Sequence, residues 1–309
     1  MKIAVVSMTY NDGYKIHEWQ EHYLAYKDEI EYFVIVDNGS EKEYLDLLKE
    51  TFPTAVIIER QSNGGCTAAY NDGINYVLKN TDVEAIAIIA NDIKLSKNCL
   101  KDLYNYLYSD ESLGIVSTAV LFKGSTKVDD FGHTIHFLKV TNDDKGKDIK
   151  DIKEKSKYTQ LVTGGFNMAK REFYEKTGLQ DEKLFMYCDE LDTSFKAKRA
   201  QYKIGVISTS YVWHWHINNP LNEGEVKPFS SYLIARNRVY LGKKYYNPFK
   251  SFLTWIYFGI IKPIRFVLVG LIKFKKKYFR VAEYYFVGAL NGLKNNMQQN
   301  EYSLPGNNK

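Results

Sequence analysis

Three features of the 309-residue sequence predict an α/β fold, with a mostly parallel sheet flanked by helices and a helical, basic segment at the C-terminus. Apolar runs of strand length alternate with amphipathic stretches of helix length through the first 90 residues. Each apolar run ends in a cluster of Asn, Asp, Gly or Ser. From about residue 240 the texture changes to long aliphatic and aromatic stretches broken by lysines. Strands separated by helices imply right-handed crossovers and parallel pairing. The predicted boundary places an α/β domain at 1–240 and a helical amphipathic region at 241–309.

The elements follow in order. Ile3–Met8 has the unbroken apolar character of a strand buried on both faces. Ile16–Tyr26 reads as a helix, Tyr32–Val36 as the second strand and Glu43–Thr51 as a helix. Ala55–Ile58 is the third strand, Thr67–Lys79 a helix and Ala85–Ala90 the fourth strand. In such sheets ligands bind beyond the carboxyl ends of the strands. The polar clusters lie there: Thr9-Tyr10-Asn11-Asp12, Asp37-Asn38-Gly39-Ser40, Ser62-Asn63-Gly64-Gly65 and Asn91-Asp92. Residues 142–157 alternate lysine with acid and have little to bury. They read as a solvated, mobile loop, either a plain surface excursion or a lid.

The net charge of +5 hides an asymmetry: residues 1–225 carry −8 and residues 226–309 carry +13. Nucleic acid and anionic membrane are the usual partners of such a segment. A nucleic-acid-binding protein is a rival reading of this segment, but the basic residues are mixed with aliphatic runs, which suits lipid better than phosphate grooves, so no nucleic-acid partner is expected. Phe252–Ile272 is almost wholly apolar, but Lys262, Pro263 and Arg265 interrupt it. Two short interfacial helices, followed by Lys273, Lys275, Lys276, Lys277 and Arg280, are therefore expected, giving peripheral membrane association. The alternative is a helical hairpin packed on the core or on a second copy of the chain. The three cysteines have no metal-like spacing, and Met1–Val6 opens as a strand rather than a signal peptide. A cytoplasmic location at the inner face of the cell membrane is expected.

Asp189-Glu190 in the stretch Leu184–Asp192 is the most informative cluster. Three carboxylates fall within four residues, after an aromatic run and before a basic helix at Ser194–Ala200. Acids at a helix start are held ionised by its dipole and tuned by partial burial, which suits a general base. An acidic first turn without chemical purpose has the same appearance. Asp37 sits where a carboxylate meets a base or ribose, or simply closes an Asx turn. Ser62–Gly65 leads into a helix N-terminus that favours phosphate. Asp92, ending a buried strand, is a first ligand for Mg²⁺ or Mn²⁺ or a turn residue. His214 and His216 share one face of an extended segment, as metal ligands, phosphate donors or core histidines.

Together these motifs resemble family 2 glycosyltransferases with the GT-A (Rossmann-like) fold, over about residues 1–245. Within the family they look most like bacterial rhamnosyltransferase-like enzymes of capsule and other surface polysaccharide assembly. Thr9-Tyr10-Asn11 resembles the opening strand-end motif, and Val36–Ser40 the nucleotide-contacting one. Asn63-Gly64-Gly65 through Gly73 resembles the asparagine- and glycine-bearing helix. Ile89–Asp92 stands at the DxD position and Thr163-Gly164-Gly165 at the donor- and acceptor-contacting glycines. Phe185–Asp192 resembles the acid-pair segment. Val212–His214 and Arg236-Asn237 fit later metal or phosphate positions. The sequence departs from the pattern twice. Ala90 replaces the first DxD carboxylate, and the acid pair reads Asp-Glu rather than Glu-Asp.

The resemblance implies inverting transfer of one hexosyl or deoxyhexosyl unit from a UDP- or dTDP-sugar to a lipid-linked oligosaccharide. No Gln-x-x-Arg-Trp sequence occurs, which favours non-processive transfer. By resemblance, Glu190 is the base with Asp189 the fallback, and Asp92 and His214 hold Mg²⁺ or Mn²⁺. Thr9, Tyr10, Asn11, Asp37, Asn63, Gly64, Asn91, Gly164, Gly165 and Arg236 contact the donor. The rival readings are a non-catalytic saccharide-binding relative and a nucleotidyltransferase.

Overall fold

The computed structural model describes residues 1–214 and 227–303. They form two compact units. The first comprises residues 1–135, 140–182 and 193–217, and the second residues 136–139, 183–192 and 218–309.

The first unit is built on the expected crossovers. Strand β1 (Ile3–Thr9) leads through helix α1 (Ile16–Leu24) to β2 (Tyr32–Asp37). Helix α2 (Lys42–Thr51) leads to β3 (Val56–Glu59), and α3 (Gly65–Asn80) to β4 (Ala85–Ile89). All pairings among these four strands are parallel, in the order β3-β2-β1-β4. Side-chain alternation sends Ile3 and Val5 into a core with Trp19, Phe33 and Phe52. Ala4 and Val6 enter a second core with Tyr70, Ile74 and Val77. Burial on both faces explains the unbroken apolar runs.

Beyond β4 the short β5 (Ile93–Leu95) and helix α4 (Cys99–Leu107) precede β6 (Leu113–Phe122). Strands β7 (Val128–Asp130), β8 (Thr134–Ile135), β9 (Val140–Thr141) and β10 (Ser156–Thr159) follow. Then come β11 (Phe166–Lys170), α5 (Arg171–Thr177), α6 (Asp189–Arg199) and β12 (Lys203–His214). The sheet continues from β4 as β11-β6-β12-β10. Strand β11 runs antiparallel to both β4 and β6, while β6 and β12 are parallel. The sheet is thus mostly parallel with reversed insertions.

The segment 142–157 is not the free loop its composition suggests. Gly146 N donates to Val128 O at 2.7 Å and Ile149 N to Thr126 O at 2.9 Å, so the backbone is pinned beside β7. Asp144 accepts from Lys147 at 2.7 Å and from Lys157 at 2.6 Å. Other charges of the segment pair with the strand beside it, as Lys145 does with Asp129 at 2.5 Å.

The second unit is helical. Helix α7 (Pro228–Tyr245) packs on α10 (Lys277–Lys294), and between them lie α8 (Pro248–Ile256) and α9 (Lys262–Lys273). By its packing α7 groups with the C-terminal helices, and the second unit also takes in residues 136–139 and 183–192. The break expected at Lys262-Pro263 is absent. Residues Tyr257–Ile261 form a π-turn, with Lys262 N–H bonded to Tyr257 O, and the helix runs on from Pro248 to Lys273. The wider turn absorbs the hydrogen bond that proline cannot make.

The approach of α7 and α10 depends on glycine. A Cβ on Gly288 would lie 2.3 Å from Tyr232 O, and one on Gly292 2.3 Å from Arg236 O, both backbone atoms. Gly288→Ala is therefore expected to cost about 1–3 kcal/mol by overpacking. Urea unfolding checks this; an unchanged midpoint would contradict it.

Candidate functional site

The carboxyl ends of the parallel strands carry a polar network in the first unit. Asp37 and Thr9 are register partners at the ends of β2 and β1. Both are almost fully buried. Asp37 Oδ2 accepts from Ser40 N at 3.0 Å, whereas its buried Oδ1 has no hydrogen-bond partner. A buried carboxylate oxygen left unmatched is costly. Thr9 Oγ1 hydrogen-bonds the Tyr44 hydroxyl and accepts from Asn91 Nδ2 at 3.4 Å.

Several expected contact residues hold the loops rather than present free polar atoms. Asn11, at φ 51°, accepts from Glu41 N and donates its own N–H to Ser40 Oγ, both at 2.9 Å. Asn63 Oδ1 accepts from Asn38 Nδ2 at 3.0 Å and from Gly65 N at 2.9 Å. Gly64 N donates to Asn38 Oδ1 at 3.0 Å, and a Cβ there would meet the Arg60 guanidinium. Asn91 Nδ2 donates to Asp12 Oδ2 at 2.8 Å, tying the end of β4 to the loop after β1. Tyr10 is exposed. Asn38, absent from the sequence-derived set, is the hub of this network. Its partners lie some 25 residues onward, so its own neighbourhood shows only a turn.

Asp92 and His214 do come together. Strand β12 pairs with β5 so that His214 lies opposite Ile93, the residue after Asp92. The His214 Nε2 to Asp92 Oδ1 distance is 3.3 Å, and both side chains are one-fifth exposed. No cluster of three or more His, Cys, Asp or Glu occurs among the described residues. A site with one carboxylate and one imidazole fits a hard divalent ion whose other ligands come from phosphate and water. Gly165 O accepts from Ala90 N at 2.8 Å, which places Gly164 and Gly165 beside the strand end bearing Asp92. His216 lies outside the described residues.

The acid pair belongs to the second unit. Helix α6 starts at Asp189 itself, so Asp189 and Glu190 form its first turn. The two carboxyls are hydrogen-bonded to each other, and burial raises both pKa values. Burial first, then the Asp189 charge, pushes Glu190 up to about 8. The helix start was expected to hold these acids ionised; desolvation outweighs it. The third carboxylate, Asp192, is fully buried and taken by Lys244 Nζ at 2.8 Å and the Tyr245 hydroxyl at 2.6 Å.

The loop entering α6 is strained. Phe185, Tyr187 and Cys188 all have φ between 63° and 66°, the left-handed region that non-glycine residues avoid. Asn237 Nδ2 holds it by donating to Leu184 O and Met186 O at 2.9 Å and to Tyr187 O at 2.8 Å. Arg236 is fully buried. It donates to Asn237 Oδ1 at 3.0 Å, Leu184 O at 3.0 Å and Met297 O at 3.1 Å. Carbonyl oxygens accept from Arg236 in this arrangement, and the side chain supports the acid-bearing loop.

The family model described as glycosyl transferase family 2 matches residues 4–178. The chain belongs to glycosyl transferase family 2. It is accordingly a glycosyltransferase with the GT-A fold that its motifs resemble. The low-salt glycan biosynthesis hexosyltransferase Agl10 of Haloferax volcanii is 23% identical over 268 residues, 85% of this chain and 83% of the relative. Among solved structures, the fold is similar to GalNAc-T7 with UDP, GalNAc and Mn²⁺ (TM-score 0.58, 15% identity). That match covers 80% of this chain but only 53% of the other, so the chain spans about half of it. The mannosyltransferase PcManGT from Pyrobaculum calidifontis, in complex with GDP-Man and Mn²⁺, is similar over 95% of this chain and 87% of its own (TM-score 0.54, 13% identity).

Proposed function

We propose that this glycosyltransferase moves one hexosyl or deoxyhexosyl unit from a nucleoside diphosphate sugar to a lipid-linked saccharide, inverting the anomeric centre. The observation that carries the reading is the hydrogen-bonded Asp189-Glu190 pair, half-buried at Glu190 and poised near the operating pH. The complexes of the two similar structures with nucleotides and Mn²⁺ support the choice of donor class. In the first unit, Asp37 Oδ1 is the acceptor for a base or ribose donor. The Asp92–His214 pair would hold Mg²⁺ or Mn²⁺ on the diphosphate. When bound, such an ion neutralises the charge of the leaving diphosphate.

Glu190 takes the proton of the acceptor hydroxyl as that oxygen bonds to the anomeric carbon. The bond from that carbon to the diphosphate oxygen breaks, and its electron pair leaves with the nucleoside diphosphate. One displacement of this kind inverts configuration. Asp189 donates no proton; it shares a hydrogen bond with Glu190 and adds to the rise in pKa that burial causes. The long apolar helix Pro248–Lys273 supports a lipid-linked acceptor and peripheral attachment at the inner membrane face. The surface-polysaccharide context rests on the motif resemblance.

A panel of UDP-, dTDP- and GDP-sugars with lipid-linked acceptor tests the reading by nucleoside diphosphate release. Release from one donor that stops in EDTA is expected. Silence across the panel with acceptor and metal present would refute it. Separately, Asp92→Ala should remove Mn²⁺-dependent nucleotide binding in calorimetry; an unchanged isotherm would contradict the metal assignment.

A further inference from the structure

The helix Pro248–Lys273 leaves one face uncovered. Its packed side presents Thr254, Phe258 and Gly270, in the unit that also holds α7 and α10. The opposite side exposes Ile260, Ile264, Leu268 and Ile272, four residues apart and therefore in one row. Ile272 is 77% exposed and Phe274, just past the helix end, 94%. Such large apolar side chains presented in a contiguous row mark an interaction surface.

The charge around the row selects its partner. Residues 227–282 contain 13 Lys or Arg and no Asp or Glu. Lys273, Lys275, Lys276 and Arg280 gather at the end of the row, and all but Arg280 are exposed. A parallel symmetric contact with a second copy would set these cations against themselves, and an antiparallel one would offer them no counter-charge, since residues 227–282 hold no acid. Nucleic acid would meet protruding aliphatic side chains instead of donors. An apolar row rimmed by cations matches the interface of an anionic bilayer.

We infer that this face is a docking surface for anionic lipid headgroups, with the helix lying in the plane of the headgroup layer. Arg265 is exposed near the middle of the helix, and Lys262 lies one turn before it. A spanning helix would carry both into hydrocarbon, whereas an in-plane helix leaves Arg265 among phosphates and Lys262 over the Tyr257 and Tyr285 rings on the protein side. The packed side of the helix stays on protein while the exposed row enters the acyl boundary. The inference adds an orientation and a lipid class to the membrane attachment proposed above, and it does not depend on the chemistry at Glu190.

Sedimentation of the full chain with vesicles tests it. Pelleting with phosphatidylcholine vesicles containing phosphatidylglycerol is expected, and at least about tenfold weaker pelleting with phosphatidylcholine alone. The double variant Leu268→Asp, Ile272→Asp should abolish pelleting. The triple variant Lys273→Glu, Lys275→Glu, Lys276→Glu should weaken it by about a hundredfold or more, at roughly fivefold for each cation removed. Alkaline carbonate should release the bound wild-type chain. Equal pelleting with both vesicle types, no pelleting with either, or resistance to carbonate would each overturn the inference. So would a dimer in ultracentrifugation that the double variant disperses. Donor hydrolysis by the double variant, read in the absence of vesicles, should equal wild type. That readout separates failure of the docking surface from failure of the glycosyl-transfer reading.

Discussion

Glu190→Gln is expected to lower kcat by about 10²–10⁴-fold while changing donor affinity little, because the amide keeps the shape of the side chain but cannot take a proton. Steady-state kinetics with calorimetry of the donor check both parts. Loss of donor binding with normal turnover would contradict the assignment. The pH dependence gives a second check. Burial raises the Glu190 pKa to about 8, so the wild-type base is largely protonated at pH 6 and ionised at pH 9. The value of kcat/KM should therefore climb through that window and level off above it. The sign for stability is opposite. A carboxyl with a raised folded-state pKa binds its proton more tightly in the native state, so stability falls as pH rises from the usual carboxylate range through about 8. In Glu190→Gln that fall should be smaller.

Asn237→Ala is expected to produce the other large effect. Its amide nitrogen is the shared donor for three carbonyls of a loop with left-handed residues at 185, 187 and 188. Removing it leaves buried acceptors without a donor, at about 1–3 kcal/mol each. Some of that is recovered as the loop relaxes, so a net loss of about 2–4 kcal/mol is expected. Relaxation also frees Glu190 from the environment that raises its pKa. The variant should show a reduced kcat, a smaller change in KM and a pH profile moved toward lower pH. Asn237→Ser, which keeps one donor, should recover part of both. Lost stability with an unmoved pH profile would show that Asn237 supports the fold without positioning the base.

The first four strands and their helices were legible because each is a local pattern: a doubly buried strand is apolar throughout, and its helix is amphipathic. Strands β10 and β11 were not, since their reversed direction is set by pairing with β12, β6 and β4. Asp189-Glu190 was visible as a cluster of acids. The direction of their pKa shifts was not, because the burial that sets it comes from a loop fixed by Asn237, about 50 residues onward. Arg236 shows the same limit from the other side. A buried arginine bound to carbonyls and one awaiting a phosphate have the same sequence. Pro263 signalled a helix break, but proline marks only the missing hydrogen bond. A π-turn or a break can each accommodate it, and packing on α10 favours the turn.

The anomeric configuration of the product, followed by proton NMR from the first turnover, tests the central claim most directly. A single displacement driven by Glu190 gives a product of configuration opposite to the donor. A product that keeps the donor configuration would contradict the account, because it would require a second displacement or a front-face path in which Glu190 is not the sole base.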